Sequence, residues 1–140
     1  MATIKSYTDL QQSKKLATIL PIESADMEYL AIKETVKLIA GVPFVKDDSE
    51  VEDSAFSHIY NRIDCWSLTT LFRFLPFHII SKNERYGFDM GKGLDRNGET
   101  YMIRYNIFST DICLYKTDYY NNPVDAAYEM ILKLHEEDLL

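Results

Sequence analysis

The sequence predicts an α+β domain, and three features of its 140 residues carry that prediction. Two alternating runs, Tyr86-Phe88-Met90 and Tyr101-Ile103-Tyr105, flank an Asn97-Gly98 pair and read as an antiparallel hairpin. Asn122-Pro123 leads into Val124, Ala127, Ile131 and Leu134 at helical spacing. Hydrophobic residues make up 46% of the chain, including 1 Trp, 10 Tyr and 7 Phe, which suits one packed core rather than a disordered chain. The expected architecture is a single domain over 1–140. A three-stranded antiparallel meander at about 85–116 packs against helices at about 9–20, 67–75 and 123–136. Residues 26–45 are available to add strands.

The first helix candidate runs from about Asp9 to Leu20. Thr8 and Gln11 have capping-box spacing, so the hydroxyl would meet an exposed amide while the glutamine reaches back. Leu10, Ala17 and Leu20, with Leu16 at the edge, form its apolar stripe, Lys14 and Lys15 suit the negative end of the helix dipole, and Pro21 stops it.

Residues 22–46 fit two patterns. Ile32, Val36, Ile39 and Ala40 suit a helix, whereas Met27, Tyr29 and Ala31, then Val36, Leu38 and Ala40, suit two strands. The β-branched content and Gly41-Val-Pro43 favour extended chain.

Asp47, Asp48, Glu50, Glu52 and Asp53 follow within seven positions and without a base, so 46–53 reads as an exposed, self-repelling acidic loop. Beyond it, Phe56, Ile59, Tyr60 and Ile63 fall at helical spacing over Ser54–Ile63. Ser67 is a natural N-cap for a helix whose buried face is Leu68, Leu71, Phe72 and Leu75, ended by Pro76.

In the meander, Asn97-Gly98 predicts a type I′ turn, which needs positive φ at both central residues. Ser109-Thr-Asp111 makes the second turn, into Ile112–Lys116. Gly91-Lys-Gly93 reads as a bulge or a wide hairpin end rather than a phosphate loop, because the Gly-x-x-x-x-Gly-Lys-Ser/Thr pattern is incomplete. In the last helix Asn122 caps, Pro123 takes the first position and Asp125 sits at the positive end. Its C-terminal Glu136, Glu137 and Asp138 oppose the dipole and favour fraying.

Charge limits the function. The net charge is −7. Residues 1–80 hold 8 bases against 11 acids, 81–120 are balanced, and 121–140 hold 1 base against 5 acids. No broad basic surface is available for phosphates, which disfavours direct nucleic-acid or membrane binding. Met1–Leu10 lacks the apolar core of a secretory signal, and the most apolar stretch, Cys65–Ile80, is interrupted by Arg73, Pro76 and His78. These features lead to the expectation of a cytoplasmic protein.

No spacing among His58, His78, His135, Cys65 and Cys113 matches a metal site, and no cofactor is expected. Both cysteines read as buried thiols. The candidate contact residues are Tyr119 and Tyr120, consecutive at a strand–helix junction, and Glu23, Ser24 and Asp26, two carboxylates and a hydroxyl in a short turn. The acidic residues Asp47, Asp48, Glu50, Glu52 and Asp53 complete the set.

Several blocks resemble a family of small uncharacterised proteins encoded by phages and mobile elements of gut-dwelling anaerobic bacteria. They are Gln12-Ser-Lys-Lys-Leu16, Leu20-Pro-Ile-Glu-Ser-Ala-Asp-Met27, Cys65-Trp-Ser-Leu68 through Leu75-Pro76, and Asn122-Pro-Val-Asp-Ala-Ala127 with Glu129-Met130. The resemblance covers about a third of the chain. It implies a bacterial or phage accessory protein and a shared fold, and it carries over no catalytic residue. The expected function is a non-enzymatic module that binds a protein partner. Two alternatives are an acidic decoy that mimics nucleic acid before a host DNA-binding protein, and a small enzyme using Cys65 with His58 or His78 as base.

Overall fold

A computed structural model describes residues 5–32, 38, 41–46 and 60–140. The protein is α+β, with three α-helices and two antiparallel sheets among the described residues. It divides into two compact units, 7–70 and 1–6 with 71–140.

In the first unit, helix α1 (Leu10–Leu16) starts one residue later than expected. Asp9 is the N-cap, and it forms a reciprocal box with Gln12: Gln12 N–H donates to the Asp9 carboxylate at 2.8 Å, and Asp9 N–H donates to Gln12 Oε1 at 3.1 Å. Thr8 is not the cap because its hydroxyl is used elsewhere. It accepts from Trp66 N–H at 3.1 Å and pairs with Ser13 Oγ at 2.8 Å, fully buried. The buried helical positions are Gln12, Ser13 and Leu16, while Ala17 is exposed, so the expected apolar stripe is only partly used. Residues 17–20 continue as turns in which Leu20 is buried.

The extended reading of 22–46 holds for the described residues. After a 3₁₀ turn at Ile22–Ser24 come strands β1 (Met27–Ile32) and β2 (Phe44–Val45). They do not extend the meander. They form a sheet of their own, β2-β1-β3, with β3 (Tyr60–Cys65). The β1–β3 ladder runs from Met27↔Cys65 to Ile32↔Tyr60. Residues 60–63 are therefore strand, not helix. The helical spacing of Tyr60 and Ile63 yields to six consecutive cross-strand pairs. The rest of that expected helix, and all of Asp47–Asp53, lie outside the described residues.

Helix α2 (Leu68–Phe74) follows the Ser67 N-cap, whose hydroxyl accepts from Thr70 N–H at 3.3 Å.

The second unit holds a four-stranded sheet in the order β4-β5-β6-β7: β4 (His78–Ser81), β5 (Glu84–Asp95), β6 (Gly98–Asn106) and β7 (Cys113–Lys116). The three-strand meander is present, and β4 adds a strand before it. The β4–β5 turn is Lys82-Asn83, with φ of 51° and 67°. This is the paired positive-φ turn that was expected at Asn97-Gly98. There the loop residues are Arg96 and Asn97, because Gly98 already pairs with Asp95 and takes φ of 118°. The Asp95 carboxylate accepts Asn97 N–H at 2.7 Å, which builds the turn from the side chain instead.

Gly91 and Gly93 form no bulge. They sit in regular ladder opposite Met102 and Thr100, and the irregularity falls in the β6–β7 pairing at Tyr105/Asn106. A Cβ at Gly93 would lie 2.9 Å from Thr100 Oγ1, and one at Gly91 would lie 3.1 Å from Met102 Sδ. The glycines let those side chains cross the strand. Met102 and Ile103 are both buried although they face opposite ways, so β6 is covered on both faces. Tyr101 and Tyr105, expected on one face, are both buried.

Helix α3 (Pro123–Glu136) matches its sequence signals: Asn122 Oδ1 accepts from Asp125 N–H at 2.9 Å, and Val124, Ala127, Ile131 and Leu134 are fully buried. Lys5 binds Asp125 at 2.8 Å. The expected fraying gives way to a closed end. Asp138 adopts φ of 56°, Leu139 N–H donates to Leu134 O at 2.8 Å and Asp138 N–H to His135 O at 3.1 Å, a Schellman cap.

Candidate functional site

In the second unit the β5–β6 register sets Asp89 opposite Arg104 and Gly87 opposite Asn106, on one face of the sheet. Arg104 Nε donates to Asp89 Oδ2 at 2.7 Å. Next along the chain, the β6–β7 connection folds back over this floor. Asn106 Nδ2 donates to Thr110 O at 3.1 Å, the Thr110 hydroxyl donates to Ile107 O at 2.7 Å, and Ile107 N–H donates to Ile112 O at 3.0 Å. Ser109 turns the chain at φ of 61°, a conformation unusual for a residue with a Cβ.

Floor and loop line an open pocket of about 460 Å³ bordered by Gly87, Asp89, Arg104, Asn106, Phe108 and Asp111, among others. That volume falls within the range that holds a small ligand or a few side chains. Phe108 stands at the rim and is 91% exposed, although its loop is tied down by the bonds just described. The charges at the site are unbalanced, with two carboxylates against one guanidinium. The Asp89 hydrogen bond, opposed by desolvation and reinforced by the charges of Asp89 and Asp111, holds the Arg104 guanidinium above its ordinary pKa. Asp111 acts on Arg104 through its field and forms no side-chain hydrogen bond among the described residues.

Among the described residues, none of the contact residues expected from the sequence (Tyr119, Tyr120, Glu23, Ser24 and Asp26) lines this pocket. Tyr119 is 56% exposed, with Lys116 Nζ 5.7 Å from its ring centroid. Tyr120 is half-buried and bonded through its backbone in both directions to Tyr101, at 2.6 and 2.8 Å. Burial, with Glu129 next, pushes its hydroxyl up to about 12. The two tyrosines therefore part: Tyr119 remains a surface residue, and Tyr120 is bridged by its backbone to β6.

In the first unit, Ser24 and Asp26 converge on Trp66 and Ser67. The Ser24 hydroxyl donates to Pro21 O and accepts the Trp66 indole N–H at 3.0 Å. The Asp26 carboxylate accepts Ser67 N–H at 2.9 Å and the Ser67 hydroxyl at 2.5 Å. Burial works to raise the Asp26 pKa, but the hydrogen bonds from Ser67 and Thr70 together bring it below the ordinary carboxylate value. These two residues have turn and capping roles, while Glu23 is exposed. Asp47, Asp48, Glu50, Glu52 and Asp53 lie outside the described residues.

Cys65 is fully buried. Its thiol donates to Thr8 O at 3.3 Å, and burial pushes its pKa up, away from a reactive thiolate. His78 is exposed on β4, and His58 lies outside the described residues. Cys113 is half-buried rather than buried as expected. Among the described residues no cluster of His, Cys, Asp and Glu could hold a metal ion, and no helix is long and apolar enough to cross a membrane.

The sequence reasoning missed Phe108, Asp89 and Arg104. The available signal was a large aromatic set among turn formers, in Asn106-Ile-Phe-Ser-Thr-Asp111. Comparison of the chain with protein families, curated proteins and solved structures finds no match.

Proposed function

We propose that this protein is a non-enzymatic binding module of a bacterial or phage accessory system, acting in the cytoplasm, and that the β6–β7 loop and the cavity beneath it receive a protein partner. One observation carries this reading: Phe108 is held 91% exposed by a hydrogen-bonded loop, at the rim of a cavity with excess negative charge. An exposed aromatic on an already ordered loop loses little conformational freedom on binding, which is how an interface anchor gains affinity. The partner segment brings an apolar side chain against Phe108 and a basic group toward Asp111.

The test is site-specific photo-cross-linking in bacterial lysate, with the photoreactive residue at position 108 and, as control, at Leu94, which is 83% exposed on the hairpin. The proposal expects one discrete adduct from position 108 and none from position 94. Equal labelling from both positions, or none from 108, overturns it.

A further inference from the structure

We infer that Asn97 is a site of spontaneous covalent modification, converting to aspartate and isoaspartate in the folded protein. Asn97-Gly98 is the sole Asn-Gly step in the sequence. It lies at the β5–β6 hairpin tip, where Arg96, Asn97 and Gly98 are all exposed. In the reaction the Gly98 backbone nitrogen gives up its proton to solvent base and attacks Asn97 Cγ. The new C–N bond closes a five-membered imide, the Cγ–Nδ2 bond breaks, and ammonia leaves. Water then opens the ring at either carbonyl, leaving aspartate or, if the main chain now runs through Cβ, isoaspartate. The net change is gain of water and loss of ammonia, with no oxidant or cofactor.

Two features of this turn favour the ring. Attack requires the nitrogen of the following residue to swing onto the side chain, and a Cβ on that residue obstructs the swing. Gly98 has none, and at its φ of 118° the space where a Cβ would stand is empty to 4 Å. Hairpin tips also open at little free-energy cost, so the excursion to the attacking geometry does not require the sheet to unfold.

The protein contains its own control. Asn83 occupies the other exposed two-residue turn, at φ of 67°, and is followed by Glu84 rather than glycine. Both asparagines share the solvent and the age of the sample, and the following residue is a difference the ring chemistry reads directly.

The experiment holds the folded full-length chain at mildly alkaline pH and follows both turns by peptide mass mapping, with isoaspartate separated from aspartate by chromatography. Conversion at Asn97 is expected at least about tenfold faster than at Asn83, a ratio that one removed steric obstacle in the transition state supplies. It should accelerate with pH, and Asn97→Gln should abolish it. A short peptide of residues 94–100 is the reference for an unconstrained Asn-Gly step. If Asn97 stays intact while the peptide converts, or if Asn83 converts as fast, the inference is overturned.

Discussion

The Asp26 carboxylate grips Ser67 at two points, the backbone N–H at 2.9 Å and the hydroxyl at 2.5 Å, so a residue preceding β1 fixes the first turn of α2. Asp26→Ala removes both charge-assisted bonds and is expected to cost about 2 kcal/mol. Urea unfolding followed by fluorescence reads it directly, because Trp66 is the sole tryptophan, fully buried, and bonded to Ser24.

The same contact sets an acid limit. The folded-state pKa of Asp26 lies below the ordinary 3.8, so its contribution is complete above that value and is lost as pH falls through the lowered one. Asp26→Asn is expected to flatten the loss of stability below about pH 4 while leaving the slope near neutrality unchanged. An unchanged acid slope in the variant contradicts this.

The three β5 glycines are expected to differ. A Cβ at Gly87 meets nothing nearer than Asn106 O at 4.0 Å, so Gly87→Ala should stay within about 0.5 kcal/mol of the parent. At Gly93 the obstacle is Thr100 Oγ1 at 2.9 Å on a buried, β-branched side chain, and Gly93→Ala should lose about 1–3 kcal/mol. Gly91→Ala falls between, because the Met102 thioether bends away more easily. Thermal midpoints of the three variants give the order.

The two thiols are expected to react in sequence. Cys113 is half-buried and should label in the folded protein. Cys65, buried and raised in pKa, should label only as the protein unfolds. Rapid native-state labelling of Cys65 would revive the reading of it as a nucleophile.

Local signals were legible where the deciding contacts are local. Asn122-Pro123 with Asp125 placed α3 because its cap, first position and dipole partner lie within four residues. β3 was misread because Tyr60 and Ile63 keep helical spacing, and only β1, some thirty residues earlier, makes them strand. β4 was missed because its turn puts Lys82 at positive φ, where sequence reasoning expects glycine or asparagine.

A one-residue difference in where the β5–β6 turn is centred decides which side chains meet at the pocket. A turn centred on Asn97-Gly98 would set Asp89 opposite Asn106. The turn centred on Arg96-Asn97 sets it opposite Arg104 and makes the ion pair. Shifting the loop by one residue slides the ladder by two, so the faces are preserved and the partners change.

Phe108 is proposed as the anchor of a protein interface. The most direct measurement is the affinity of the partner captured at position 108 for the parent protein, for Phe108→Ala and for Leu94→Ala, by calorimetry. Phe108→Ala is expected to weaken binding by at least about 2 kcal/mol, some thirtyfold, while Leu94→Ala leaves it unchanged. Equal affinity for the parent and Phe108→Ala would exclude Phe108 as the anchor.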